Sequence, residues 1–385
     1  MKALTREKFY RYRTYLIVLF IPMVFTLLFG GLMKDVFVEE IPIAVYDMDN
    51  SPMSQTVIDS FYDCGVFTIT EDVDSEAEIE EAMLRGELCG AVLLPAGFGA
   101  GIQEKSGTEA LVLIDGSNLL IGNNITLYAT TIFNMVNAGI QINLLEAGGM
   151  VPYAAEQSVY TLNLVDRVLY NPQLGYFYYL FAGLLGIFVQ QTFLAVVPIV
   201  LIEEKRRLRQ LPGCDVKADM RMRRGSVAAR VGIYAILNAV SMLSCLVLAH
   251  LFFAYPINGK LSLLLLIHAV FIAGLFGVCL VLASLFEDST HCAQFVMFLA
   301  VPSMLCCGYG WPEYMMAPGF APVMKLVLPL YYFANPLKDL MLKGAGLEVI
   351  GRFVTGGLLF AALWLAMGTA LYTRKIILIK KWAQG

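Results

Sequence analysis

Charge is what this sequence has little of. Only 15% of its 385 residues are Asp, Glu, Lys or Arg, and 58% are hydrophobic. Soluble domains carry about a quarter charged residues, so the balance argues against an ordinary soluble enzyme and for a chain solvated largely by lipid. Histidine is scarce: His250, His268 and His291 lie in or beside apolar runs, none at metal-ligand spacing. A hydrogen bond at a helix end or between helices is their simpler role, although a membrane histidine can be functional. The eight cysteines form no CxxC pair, which removes the usual zinc and dithiol motifs. Cys245, Cys279, Cys292, Cys306 and Cys307 sit in apolar runs as small hydrophobes.

Nucleotide chemistry is missing too. The string nearest to GxxxxGK[ST] is Gly99–Ser106, with Glu104 in place of the second glycine. A carboxylate there repels phosphate, and its side chain blocks backbone approach. The chain therefore carries no ATPase motif of its own. No GxSxG or Ser–His–Asp grouping occurs. Asp47 and Asp49 alternate near Ser51 and Ser54, but no glycine and distal glutamate complete an EF-type calcium loop. A strand-to-helix turn accounts for them. The apolar runs hold almost no Asp or Glu and show no paired repeats, which weighs against a proton-coupled carrier.

Long apolar runs are abundant. A bilayer core takes about 20 residues of helix. Residues 15–33 form the first such run, too long and uncut for a signal peptide. Further runs cover about Tyr176–Ile202, Val227–Ala254, Leu261–Phe286, His291–Gly310 and Phe353–Thr373, making six predicted spans. Lys and Arg gather at residues 1–14, 203–226 and 374–385. With six spans these three segments share one side, and the positive-inside rule makes it the cytoplasm. The short acidic turn Glu287–Asp288 falls on that side against the trend. Residues 34–175 are then external, with Lys34, Arg85, Lys105 and Arg167 their only basic residues. The acids between Glu71 and Glu87 read as a solvated helix face.

The external segment reads as an α/β domain. Strands are expected at Ile41–Asp47, Val66–Thr70, Gly90–Leu94 and Leu111–Ile114. Helices are expected to start at Ser51–Pro52 and at Ser75, and a long one to run from Leu119 to Glu146 towards the membrane. Alternation of strands and helices predicts a partly parallel sheet. Cys64 and Cys89 could pair in an oxidising compartment, but spacing alone does not show whether they meet.

Several segments, in their order, resemble the ABC-2 permeases, in the branch with a large external domain after the first helix. They are Ala44-Val-Tyr-Asp-Met-Asp-Asn-Ser-Pro-Met-Ser54, Tyr170-Asn-Pro172 and Ile202-Glu-Glu-Lys-Arg206. Pro302, Gly308-Tyr-Gly-Trp-Pro312, Leu328-Pro-Leu-Tyr-Tyr332 and Leu342-Lys-Gly-Ala-Gly346 follow. The likeness covers nearly the whole chain. It departs at Arg207-Leu-Arg-Gln-Leu-Pro-Gly213, where relatives often continue with Gly-Thr and a Leu-rich helix.

The resemblance implies an α-helical polytopic membrane protein with six transmembrane helices and an α/β extracytoplasmic domain between helices 1 and 2. It implies the permease subunit of an ATP-driven exporter in a bacterial inner membrane, with cytoplasmic termini, not an enzyme itself and binding no cofactor. A cytosolic ABC ATPase would hold the ATP, and a second permease chain, the same or related, would complete the path. Whether the external domain meets a periplasmic adaptor stays open, and nothing suggests nucleic acid. Apolar spans lean towards an amphipathic, drug-like or lipid-like cargo.

Residues 1–14 suit an interfacial helix, or only a positive flank. Glu203, Glu204, Lys205 and Arg206 are the candidate ATPase-coupling residues, or a topology signal. The Pro-rich stretch 311–336 reads as short helices dipping into the outer leaflet against protein, with Trp311, Pro312, Pro329 and Tyr331 as the candidate outer gate, or as a surface connector. Tyr176–Tyr179 are an interfacial belt or line the path. The competing class is a membrane-anchored surface or secretion-apparatus protein, resembling phage-infection receptor-type proteins, with no transport cycle.

Overall fold

A computed structural model describes residues 2–33, 40–70, 73, 75–104, 107–160, 167–172, 175–209 and 216–384; side chains are described for all of these except 2–11, 216–224, 226 and 379–384. The chain divides into two compact units, residues 1–36 with 168–385, and residues 37–167. The first unit opens with α1 (Lys2–Leu32), which runs unbroken from the basic terminal segment into the first apolar run.

The 37–167 unit is α/β. It comprises β1 (Ile41–Asp47), α2 (Pro52–Asp63), β2 (Phe67–Thr70), α3 (Glu76–Leu84), β3 (Gly90–Leu94), α4 (Phe98–Gln103), β4 (Leu111–Ile114), α5 (Leu119–Ala147) and α6 (Pro152–Val159). The sheet order is β2-β1-β3-β4, with β1 parallel to β2 and β3, and β4 antiparallel to β3. Side chains of β1 and β3 are buried alternately on both faces. Ile43, Val45, Val92 and Leu94 join Phe61, Phe98 and Ile125 on one face; Ala44, Ala91 and Leu93 join Ile79 and Leu88 on the other.

Local chemistry sets the ends of these elements. Ser51 Oγ accepts from Ser54 N (3.1 Å) and Ser54 Oγ from Ser51 N (2.9 Å), a capping box at the start of α2. Ser75 Oγ accepts from Glu78 N to cap α3. Asp47 and Asp49 are turn residues: Asp47 accepts from Asp49 N, Asn50 N and Ser54 Oγ. Asp49 reaches across to accept from Gly97 N and Gly99 N, both at 2.8 Å, tying the β1–α2 turn to the β3–α4 turn. Ser51, Gly99 and Gly97 hold its carboxyl below the usual aspartate range. Cys64 and Cys89 are separate free thiols.

The rest of the first unit is helical: α7 (Tyr176–Arg209), α8 (Val216–Phe253), α9 (Leu261–Leu285), α10 (Ser289–Phe298), α11 (Ala300–Cys306), a 3₁₀ turn at Glu313–Met315, α12 (Phe320–Val327), α13 (Tyr331–Lys343) and α14 (Leu347–Gln384). Among the described residues six segments are long and apolar enough to cross a membrane: α1 from Tyr12, α7, α8 from Val227, α9, α10 with α11, and α14 to Leu378. At 38 residues, α8 and α14 each extend about 57 Å, longer than a hydrocarbon core of about 30 Å. Their basic ends run past the apolar stretch.

In lipid the helices gain little from apolar burial against each other, so close packing and hydrogen bonds hold them. Both are present. A Cβ on Gly277 of α9 would lie 2.6 Å from Leu365 N and Trp364 C of α14. One on Gly368 would lie 2.7 Å from Gly277 O, so the two helices meet backbone to backbone. Asn238 Nδ2 of α8 donates to Val189 O (2.9 Å) and Thr192 Oγ1 (3.2 Å) of α7. Ser241 Oγ donates to Leu19 O of α1, and Tyr372 OH of α14 to Leu201 O of α7. α7 and α9 are the most buried of these spans, while α1, α10, α11 and α14 present most of their apolar surface outward.

The fifth apolar run is interrupted, which its hydropathy does not reveal. Gln191 of α7, with its amide oriented to satisfy both neighbours, donates to Val296 O and accepts from Ala300 N, each at 3.2 Å. Those two backbone groups would otherwise bond each other in a continuous helix. Pro302 removes a further N–H three residues after the break. Beside it, buried Gln190 donates to Ser303 Oγ at 3.0 Å.

Candidate functional site

The end of α7 carries the four predicted coupling residues, and their surroundings separate them. A helix rotates about 100° per residue, so consecutive side chains face different neighbours. Glu203 is exposed and Glu204 is buried. Lys205 is 1% exposed and turns onto α9, where its Nζ donates to Ala283 O (2.8 Å) and Phe286 O (2.7 Å). The ammonium thus satisfies carbonyls at a helix C-terminus, where the backbone dipole also favours a cation. Arg206 donates from Nε and Nη2 to Glu287 O (3.1 and 2.8 Å) and pairs with Asp288 Oδ2 at 3.0 Å.

The acidic turn is the counter-ion of this cluster. Glu287 Oε1 takes Arg209 at 2.8 Å and Lys375 of α14 at 3.1 Å. Those two cations draw its carboxyl down to about 2. Asp288 accepts from Thr290 N and His291 N to cap α10; these backbone bonds and Arg206 lower its carboxyl below the ordinary value. Lys205, Arg206, Arg209 and Lys375 therefore knot the ends of α7 and α14 to the turn between α9 and α10. Arg209, Lys375, Glu287 and Asp288 were absent from the sequence-derived site. One signal was available: Glu287 and Asp288 are the only acids between Val227 and Pro312. Residues 210–215 of the basic segment 203–226 lie outside the described residues.

The stretch 311–336 does form short helices, with two different fates. α13 is largely buried, including Phe333, Ala334 and Leu337, whereas α12 has no buried residue and exposes Phe320, Val323 and Leu326. Of the predicted gate residues, Trp311 is 50% exposed and its indole donates to Met315 O; Pro312 leads into the 3₁₀ turn. Pro329 stands in the turn between α12 and α13, and Tyr331 begins α13. Lys325 joins part of the set. It pairs with Glu313 Oε2 at 2.7 Å and lies 4.6 Å from the centre of the Tyr331 ring. Trp311 takes no part in that cluster.

Around it, Tyr179 OH donates to Tyr309 O at 2.8 Å, and Tyr309 OH returns a bond to Tyr179 O. Asn335 Nδ2 donates to Cys307 O and Tyr331 O, joining α13 to the loop after α11. Phe177 and Tyr178 pack inward with Phe181, Phe253 and Tyr255, while Tyr176 and Tyr179 remain partly exposed. His250 Nδ1 lies 2.9 Å from Tyr255 O, the helix-end bond expected of it. His268 differs: it is 4% exposed and neither ring nitrogen has a hydrogen-bond partner, its ring packing edge-on to Phe333. No group of three metal-ligating side chains occurs among the described residues.

Comparison with known proteins bears on this arrangement. A family model described as an ABC-2 family transporter protein matches residues 12–370. The chain is similar to the probable multidrug ABC transporter permease YbhR of Escherichia coli strain K12, at 23% identity over 337 residues and 87% of each chain. It is similar to the inner membrane transport permease YhhJ of the same strain, 21% identical over 351 residues, 88% of this chain and 85% of that one. The probable multidrug ABC transporter permease YbhS of that strain is 21% identical over 343 residues, 86% and 84% of the two chains. No solved structure matches.

Proposed function

This chain belongs to the ABC-2 transporter family, and we propose that it is the permease subunit of an ATP-driven exporter whose path carries an amphipathic, drug-like or lipid-like cargo. The observation that carries the mechanism is the charged knot at the end of α7. Arg206, Arg209 and Lys375 hold the Glu287–Asp288 turn, and Lys205 caps α9. A force applied at the α7–α8 connection is then transmitted to α9, α10 and α14 together, rather than to one helix.

Energy comes from a separate cytosolic ATPase, and two permease chains enclose the path. Glu203 and the exposed edge of Arg206 form the docking surface; Lys205 positions α9 behind it. The knot supports placing the end of α7, the Glu287–Asp288 turn and the basic end of α14 on one side, and the charge bias of the chain makes that side the cytoplasm of a bacterial inner membrane, with residues 34–175 read as external on the same bias. Lys325, Glu313 and Tyr331 form the candidate outer gate together with Pro329. The names of two relatives, probable multidrug permeases, support the drug-like cargo.

The test is a tagged pull-down of the full chain from membranes in mild detergent, with mass spectrometry of bound proteins. The expected result is an ATPase carrying a Walker motif, with lower recovery for Glu203→Lys. Recovery of no ATPase in several detergents overturns the permease reading and favours a membrane-anchored surface protein.

A further inference from the structure

One cavity in the helical unit is separate from both the charged knot and the Lys325 cluster. It measures about 270 Å³ and lies between α7, α8, α9 and α14. Small-molecule sites run from about 300 Å³ upward, so it suits a compact ligand. Leu201, Leu208, Val227, Phe276, Leu280 and Ile376 give it apolar walls. Among the described residues Glu204 supplies its one carboxylate, and Tyr372, Thr369 and Thr373 its other polar groups.

Helical spacing explains how an acid enters such a wall. Leu201, Glu204 and Leu208 stand at i, i+3 and i+7, one face of α7. Glu204 is 6% exposed, so it belongs to the interior and not to the docking surface beside it. A buried carboxylate must be satisfied by partners, and one in the wall of a cavity can be reached by a ligand as well.

We propose that this cavity binds an amphipathic organic cation, with its ammonium at Glu204 and its hydrocarbon body against Leu280, Phe276 and Ile376. Three features select that chemistry. The carboxylate attracts a cation and repels an anion. The ring of Tyr372 lines the same space and favours an ammonium over water. The described lining residues do not offer the six or so oxygen donors that a hard metal ion takes. Glu204 has an interaction of its own, and a carboxylate offers about four acceptor sites, so a ligand donor can share it. The phenol of Tyr372 is occupied, donating to Leu201 O at 2.8 Å, which fixes the ring in the wall. Reading the bound cation as cargo rests on the permease assignment; the binding itself does not.

The test is equilibrium binding of tritiated octyltrimethylammonium to the purified full chain in lipid nanodiscs, with chain-free discs subtracted. Saturable binding is expected, displaced by the unlabelled ammonium and about tenfold less well by octyl sulfate. Glu204→Gln weakens it about tenfold or more, the loss of one charge-assisted contact. Glu204→Asp retains it, which separates loss of charge from loss of fold. Thr373→Trp, filling the space from a partly exposed position, abolishes it. Wild-type binding by Glu204→Gln, retention in Thr373→Trp, or equal competition by octyl sulfate overturns the proposal. No ATPase or nucleotide enters the assay. A negative result therefore leaves the permease reading standing, and a failed pull-down leaves the cavity result standing.

Discussion

Replacing Lys205 by Met keeps the length of the side chain and removes only the ammonium. Two short hydrogen bonds go with it, at 2.8 Å to Ala283 O and 2.7 Å to Phe286 O. Bonds from a charged donor contribute about 1.5–3 kcal/mol each, so the gross loss is roughly 3–6 kcal/mol. Part is returned, because the buried ammonium no longer has to be stripped of water. The backbone offers little repair: Phe286 N already closes on Leu282 O at the end of α9. The net expectation is a destabilisation of roughly 2–3 kcal/mol, centred on the turn between α9 and α10.

A reporter stands beside that turn. Cys292 in the first turns of α10 is 1% exposed. In Lys205→Met its labelling by N-ethylmaleimide, followed by site-resolved mass spectrometry, is expected to accelerate. The unfolding midpoint in mixed micelles of rising SDS content should fall in parallel. An unchanged midpoint, within about 0.5 kcal/mol, together with unchanged labelling would refute the reasoning. Lys205 would then not be the cap that holds α9.

Two further perturbations test other parts of the architecture. Glu287 has its carboxyl lowered from 4.5 to about 2 by Arg209 and Lys375. A depressed folded-state value means its stabilisation is present above the unfolded value and is lost as pH falls from about 4.5 towards about 2. Wild-type thermal stability should therefore decline across that window, and Glu287→Gln should flatten this part of the profile. The difference should shrink in high salt, because the group is about half exposed. Gly277→Val places a side chain where Leu365 N and Trp364 C lie 2.6 Å from the Cβ position, and is expected to cost about 1–3 kcal/mol or more in the same micelle assay. Gly351→Ala, with nothing within 4 Å of its Cβ position, is the matched neutral control.

Much of the architecture was legible because it depends on short stretches of sequence. Solvation by a bilayer is nearly additive over about 20 residues, so six apolar runs announce six candidate spans without knowledge of their neighbours. The strands of the 37–167 unit fall on short β-branched or aliphatic runs, and Ser51, Pro52 and Ser75 mark helix starts through bonds made within three residues. The site was only half legible. Glu203, Glu204, Lys205 and Arg206 were noticed as one charged group, yet rotation along α7 sends Glu203 to the surface, Glu204 to a cavity and Lys205 to a helix end.

The sequence by itself determined that this is a membrane-spanning chain without a phosphate cradle, since hydropathy, charge bias and missing glycines are properties of composition and order. Tertiary structure alone decided which charges are partners. Lys205 finds Phe286 across 81 residues, and Gln190 finds Ser303 across 113. Such distant pairs carry no local pattern. They arise only when packed helices bring into reach groups that must be satisfied in the absence of water.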